Sequence, residues 1–333
     1  AAKHGIPRVF SDVAELLRDR LERAADEREE VDVRLGLATV LEAELKDVTA
    51  AIDQYEEILG TSYGESALPN LERLITAIEH RERIAGLLEP VYRARDWWQK
   101  LVVILDAKLA YVDDPADKVA LYLEIAGLHD TRGGDPHLSF EALSKAWQLE
   151  PARKDVFDRL CAQGARLGEW DALVQVLEAG AGSTLDPEAG ALALARVAEI
   201  HETQRGDHDS AIAAWRQVLQ VSDDDPVALS SLDRLYAVEG RAADLVGIVE
   251  RRAELAEDAG VRLVLLHRIA SLYEEVLEKP REAVVAYKNV LNVDDSDEAS
   301  LDALERLYRQ LAEPRDLAQI LERKLELARD PAV

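Results

Sequence analysis

Apolar residues recur along almost the whole chain at i, i+3, i+4 and i+7, the spacing that lines one face of an α-helix. No stretch alternates Val, Ile, Thr and aromatic residues with polar ones as a strand would. The helical pattern also repeats. Laid against itself at an offset of 72 residues, the chain brings Leu101, Leu173, Leu245 and Leu317 into register. Leu105, Leu177, Val249 and Leu321 follow, each succeeded by an acid: Asp106, Glu178, Glu250 and Glu322. A second block aligns Ile125-Ala126, Val197-Ala198 and Ile269-Ala270, with His129, His201 and Tyr273 three residues on. A third aligns Ser139, Ala211 and Ala283, then Leu143, Trp215 and Tyr287, then Trp147, Leu219 and Leu291. A fourth aligns Leu88, Leu160, Leu232 and Leu304, followed by Tyr92, Gly164, Tyr236 and Tyr308. Four blocks with one offset mark a repeat array.

Each repeat divides into four helices, labelled A to D, by its punctuation. Asp114-Pro115, Asp186-Pro187, Asp225-Pro226, Lys279-Pro280 and Glu313-Pro314 set proline at helix starts, where its missing N–H costs little. Gly133-Gly134, Gly206 and Gly240 sit at helix ends. The first copy fits at an offset of 88, with Leu37-Ala38 and Leu41 on the A helix and Ala51 and Tyr55 on the B helix. Its extra sixteen residues fall between about Gly60 and Arg81 and carry Leu68, Leu71, Leu74, Ile75 and Ile78, which predicts an additional helix near 64–80. The prediction is one all-α array over 1–333 of about eighteen helices: a leading D helix in 1–26, then units at 27–111, 112–183, 184–258 and 259–333. Pro90, inside a helical run at 81–94, predicts a kink or a fresh start there.

Helices A and B resemble the tetratricopeptide repeat. The resemblance rests on Ile269-Ala270-x-x-Tyr273 followed by Ala283-x-x-x-Tyr287, and on Val197-Ala198-x-x-His201 with Ala211-x-x-x-Trp215. Small residues at these places let two helices approach closely. The family's terminal proline is matched at Pro151 but not in later copies. The A–B loop is about one residue longer than the usual unit of about 34 residues allows. Helices C and D keep Leu304-x-x-x-Tyr308 but lack the Ala-x-x-x-aromatic half, so intact pairs alternate with degenerate ones. The resemblance implies a right-handed α-solenoid, a superhelix of stacked antiparallel helix pairs, with the first helix of each pair lining a concave groove. On that mapping the A helices present Glu42, Asp130, Glu199, Glu202, Glu274 and Glu275, and the C helices present Arg93, Arg166, Arg234, Arg306 and Arg309. The expected groove therefore carries alternating acidic and basic stripes suited to an extended peptide or partner helix of basic or mixed charge.

Composition narrows the partners. Lys and Arg total 40 against 66 Asp and Glu, a net charge of −26, which opposes nucleic acid or an anionic membrane as the main partner. No segment approaches the roughly 18 apolar residues of a membrane span. The single cysteine, Cys161, forms no internal disulfide, and its alignment with Glu89, Asp233 and Glu305 predicts a solvent-facing position. The opening Ala-Ala-Lys-His-Gly-Ile-Pro shows no apolar signal core, and methionine is absent, so the chain reads as a piece of something longer, cytoplasmic by default.

Candidate chemistry is thin. Gly60-Thr61-Ser62-Tyr63-Gly64 matches the G-x-S-x-G string of serine hydrolases, but a helix precedes it where that elbow needs a strand. Asp223-Asp224-Asp225 and Asp294-Asp295-Ser296-Asp297 lack the central Gly and spaced Glu of a calcium loop and read as caps of C helices. No two histidines have the i, i+4 spacing of a helical zinc site, and His129 and His201 read as packing residues. Trp97, Trp98 and Trp170 read as core anchors at the start of D helices. The expected function is a non-catalytic protein-interaction scaffold without cofactor or metal, in a larger assembly, binding a protein or peptide segment. The alternative is a spacer segment of a longer array that associates end to end. Residues 60–98, where the array departs most from its own rule, form a second candidate site.

Overall fold

The computed structural model describes residues 6–329; residues 1–5, in the opening stretch, and 330–333, at the end of the fourth unit, lie outside the described residues. Among the described residues eighteen α-helices follow one another and no strand occurs. They are α1 (Ile6–Leu21), α2 (Glu27–Ala43), α3 (Val48–Leu59), α4 (Leu68–Leu74), α5 (Arg81–Ala94), α6 (Trp98–Leu109), α7 (Pro115–Thr131), α8 (Pro136–Leu149) and α9 (Lys154–Leu167). Then come α10 (Trp170–Ser183), α11 (Pro187–Ile200), α12 (His208–Val221), α13 (Pro226–Val238), α14 (Ala242–Leu255), α15 (Ala259–Ser271), α16 (Pro280–Leu291), α17 (Glu298–Leu311) and α18 (Pro314–Arg329). In repeat terms α1 is the leading D helix and α4 the insertion. The A helices are α2, α7, α11 and α15; α3, α8, α12 and α16 are B; α5, α9, α13 and α17 are C; α6, α10, α14 and α18 are D.

Two compact bodies contain these helices: Ala1–Glu150 with Asp155–Leu167, and Pro151–Lys154 with Gly168–Val333. In the first, α2 packs on α3 and α7 on α8; in the second, α11 packs on α12 and α15 on α16. Helices resting on their sequence neighbours are the arrangement of an α-solenoid.

The helix boundaries follow from capping chemistry. Asp26, Asp114, Asp186 and Asp258 stand before the four A helices, each accepting from a backbone N–H of the first turn. Asp47, Asp135 and Asp207 do the same for three B helices, and Asp225 and Asp297 for two C helices. The acidic runs thus end in caps, as the sequence predicts. Between each C and D helix one residue turns left-handed: Asp96, Gly168, Gly240 and Ala312, all at positive φ and spaced by the repeat.

The small residues that the pattern singles out are fully buried. Ala38, Ala126, Ala198 and Ala270 on the A helices, and Ala51, Ser139, Ala211 and Ala283 on the B helices, expose nothing to solvent. Above them Tyr55, Leu143, Trp215 and Tyr287 are buried, as are Leu88, Leu160, Leu232 and Leu304 on the C helices. His129 and His201 lie in this core, as expected of packing residues.

Several expectations need correction. The inserted residues form only a short α4 flanked by 3₁₀ turns at Gly64–Ala67 and Ile78–His80. Helix α5 does not start anew at Pro90 but runs through it. Pro90 cannot donate to the Gly86 carbonyl, yet both residues are exposed, so solvent can satisfy that carbonyl. Trp97, Trp98 and Trp170 are only half-buried, and the aromatic core is built instead on Trp147 and Trp215. Trp97 is flanked by cations, with Arg95 and Lys100 each 5.0 Å from its ring.

Cys161 is buried, not solvent-facing. Its repeat equivalents are nearly buried too, although they are acids. Glu89 pairs with Lys108 at 2.9 Å, Asp233 with Arg252, and Glu305 with Lys324 at 2.5 Å. In each case the cation lies nineteen residues later, on the D helix. A charged residue marks surface only when its partner is water; here the partner is a neighbouring helix. In the second copy the two positions carry Cys161 and Gly180, so no such ion pair forms.

Candidate interaction face on the first helices

The A helices end in an unusual way. His201–Arg205 and Leu272–Val276 are π-helical turns, with one residue more per turn than an α-helix. In the first body the same place is widened as well: Leu45 donates to the Val40 carbonyl and Gly134 to that of His129, five residues back. The extra residue that the sequence shows between A and B is thus absorbed into the last turn of A. Glu202 and Glu274 lie within the two π turns, at the repeat position of Asp130.

Each of these acids is tied to an arginine on an alternate helix. In the first body Asp130 of α7 receives Arg166 of α9 at 3.1 Å, and Glu42 of α2 receives Arg73 of the inserted α4 at 2.6 Å. In the second, Glu202 pairs with Arg234 of α13, and Glu274 receives Arg306 of α17 at 2.7 Å. Arg234 and Arg306 are repeat equivalents. Their counterpart in the second copy is Ala162, and Arg166, one helical turn later, takes the role. Further pairs join a C helix to the next A helix: Arg93 of α5 to Glu124 of α7 at 2.9 Å, and Arg268 of α15 to Asp233 of α13 at 2.6 Å. First helices of successive pairs are therefore laced together within each body.

The predicted site residues divide by exposure. Glu42, Asp130, Glu202 and Glu274 keep 15–26 % of their side-chain surface, whereas Arg93, Arg166, Arg234, Arg306 and Arg309 keep 44–63 %. The acids lie beneath and the guanidinium groups lie outside. Glu42 also accepts from the Tyr55 hydroxyl at 3.4 Å, and Glu274 from the Tyr287 hydroxyl at 2.8 Å. Burial and the adjoining carboxylates push both phenols up to about 12, so they remain donors. Glu199 stands apart from this row, half-exposed and paired with Arg196, and Glu275 is exposed. Arg309 pairs with Glu305 of its own helix. The expectation of separate acidic and basic stripes thus gives way to acid–arginine pairs.

Sequence reasoning passed over Arg73, Glu124, Asp233 and Arg268, which complete the lacing. Arg268 stands at the repeat position of Glu124 with the opposite charge, but Asp233 stands at that of Glu89, one helical turn before Arg93, so the pairing becomes readable only once helix adjacency is known.

In region 60–98 and the turn beyond it, Glu72 of α4 accepts from the Tyr92 hydroxyl at 2.7 Å and from Lys100 at 2.5 Å. Burial pushes the Glu72 carboxyl up, but Lys100 and Tyr92 outweigh it and hold the group below the usual carboxylate range. This joins the insertion to α5 and α6. Ser62, in the G-x-S-x-G string, sits in the turn after α3, and its backbone N–H donates to Glu27 at 2.9 Å. Among the described residues no three His, Cys, Asp or Glu side chains converge as a metal site, and no helix is long and apolar enough to cross a membrane.

A tetratricopeptide-repeat family model matches residues 300–332. The match falls on α17 and α18, a C–D pair that the sequence pattern marks as degenerate. Similar solved structures include the C-terminal part of a TPR repeat-containing protein from Cytophaga hutchinsonii, 14% identical, with a TM-score of 0.33 over 76% of this chain and 98% of that one. Another is pilF of Pseudomonas aeruginosa, 16% identical, with a TM-score of 0.32 over 70% of this chain and 99% of that one. The Cut9-Hcn1 hetero-tetramer of the APC/C matches at 14% identity and a TM-score of 0.28, over 98% of this chain and 71% of that one. No curated protein matches the sequence.

Proposed function

We propose that this chain, an all-helical array whose residues 300–332 match a tetratricopeptide-repeat family model, is a non-catalytic scaffold that binds an extended protein segment along its first helices. The observation that supports this reading is the row of arginines standing over anchored acids in the second body. There Arg234 and Arg306 each give part of the guanidinium to a carboxylate beneath and keep more than half of the side chain in solvent. A guanidinium has five N–H donors in a planar fork, so donors remain for carboxylates or backbone carbonyls of a bound chain. The anchoring restricts the arginines before binding, which lowers the entropy lost on recognition. Exposed Glu199 and Glu275 add negative points beside the row, and the partner read from this face is a segment of mixed charge.

The test compares wild-type protein with an Arg234→Gln, Arg306→Gln, Arg309→Gln variant in affinity capture at low and moderate salt. Partners lost from the variant and weakened by salt are expected, since exposed pairs are screened within a Debye length of about 8–10 Å. The same partners recovered from both proteins, with the variant folded, would refute binding at this face. Mass that rises with concentration equally in both would favour the spacer reading.

A further inference from the structure

A groove of about 600 Å³ lies in the second body between α14 and α16, over α15. It shares no residue with the acid–arginine row. Ala253, Leu266 and Val285 give it an apolar lining, with Val285 59% exposed and so accessible to a bound group. Glu250, Glu254 and Glu282 also line it. Arg262 also lines it and donates to the Ala256 carbonyl at 2.7 Å, while Arg251 beside it is divided between Asp223 and Glu254. The lining therefore joins an apolar strip to three carboxylates set against one arginine, an excess of negative charge.

This combination departs from the repeat. One repeat earlier, 72 residues back, the chain carries Gly182 where this groove has Glu254, Ser210 where it has Glu282, and Ala213 where it has Val285. Core positions of the two units, by contrast, carry like residues: Ala198 and Ala270, Leu232 and Leu304. The fold requires neither Glu254 and Glu282 nor the exposed valine, since α10, α11 and α12 form the same three helices one repeat earlier without them.

We propose that this groove is a second docking surface, occupied by a basic protein segment that presents a branched aliphatic side chain. The aliphatic group would rest against Leu266 and Val285, removing both from water. Lysine or arginine on either side of it would face Glu250, Glu254 and Glu282, which supplies the charge complementarity that selects the partner. The surface is distinct from the first-helix face and does not depend on it.

The probe is a short synthetic peptide of alternating leucine and lysine, followed by fluorescence anisotropy against the full chain. Control peptides replace lysine by glutamate or leucine by alanine. Val285→Asp and Glu282→Lys both alter exposed positions, so folded variants are expected and are checked by circular dichroism. Binding of the leucine–lysine peptide is expected, weakened about tenfold or more by each variant and absent with the glutamate control. Arg234→Gln with Arg306→Gln should leave it unchanged, which separates this surface from the first-helix face. Equal binding to wild type, Val285→Asp and Glu282→Lys would overturn the proposal, as would no binding at about 1 mM peptide. Self-association abolished by Val285→Asp would assign the groove to a second copy of the chain and overturn it too.

Discussion

Asp233 offers the sharpest test of how these helices are held together. Its side chain is 6% exposed, lies on a C helix, and takes Arg252 from α14 and Arg268 from α15. Asp233→Asn keeps the shape and one acceptor oxygen but removes the charge. A hydrogen bond to a charged group contributes about 1.5–3 kcal/mol, and a neutral one about 0.5–1.5. Two bonds to Oδ2 fall from the first class to the second, and the amide nitrogen cannot accept the third, from Arg268 to Oδ1, which together predict a loss of about 2–3 kcal/mol. The full penalty for an orphaned buried charge, about 3–5 kcal/mol, does not apply. Arg252 and Arg268 keep 35% and 38% of their side-chain surface and can turn to solvent. The assay is urea unfolding followed by far-UV circular dichroism, with Arg268→Gln and the double variant completing a cycle. A coupling of about 1 kcal/mol between Asp233 and Arg268 is expected, since contacting charges are not additive. An Asp233→Asn variant within about 0.5 kcal/mol of wild type would refute the reasoning, because the pair would then add nothing beyond its own desolvation.

Other consequences follow from local geometry. Ala312→Gly should stabilise by about 0.5 kcal/mol, because relief of left-handed strain exceeds the added unfolded-chain entropy; Gly240→Ala, where an added Cβ meets no neighbour, should cost about the same for backbone reasons alone. Thermal unfolding of the two variants reads both signs. Gly64→Ala should cost about 1–3 kcal/mol, since its Cβ would sit 2.8 Å from the Leu59 carbonyl oxygen, which is backbone and cannot swing away. Burial, then the charge of Arg205, lowers the His201 pKa below 6.5. The unfolded chain therefore binds the proton more readily, so this contribution to stability is complete above about pH 6.5 and is lost as pH falls through the lowered value. His201→Tyr, which installs the residue of the fourth unit, should flatten that part of a stability profile measured between pH 7 and pH 5.

Much of the fold was legible in the sequence. About eighteen helices were expected and eighteen α-helices occur among the described residues, although the inserted one covers Leu68, Leu71 and Leu74 but stops short of Ile75 and Ile78. The site was less legible. Asp233 and Glu305 looked like surface because charge usually means solvent, and Cys161 was drawn outward with them. Trp97 and Trp98 looked like core because large aromatics usually are, yet both are only half-buried. Pro90 predicted a kink or a fresh start, but α5 runs through it, and the orphaned Gly86 carbonyl lies at an exposed position.

What the sequence determined by itself is everything carried by near neighbours along the chain: apolar spacing within a turn or two, aspartate caps, and the alanines at 126, 198 and 270 that repeat every 72 residues. The tertiary structure alone decided how the charges are spent. Glu202 and Arg234, or Asp233 and Arg252, are separated by two or more turns of helix and a loop, and no local rule says which side of one helix faces the next. Packing brings them within reach, and in the low-dielectric space between helices an acid finds a guanidinium better than it finds water. That is why stripes expected to face a partner are first of all pairs, with the arginines outermost.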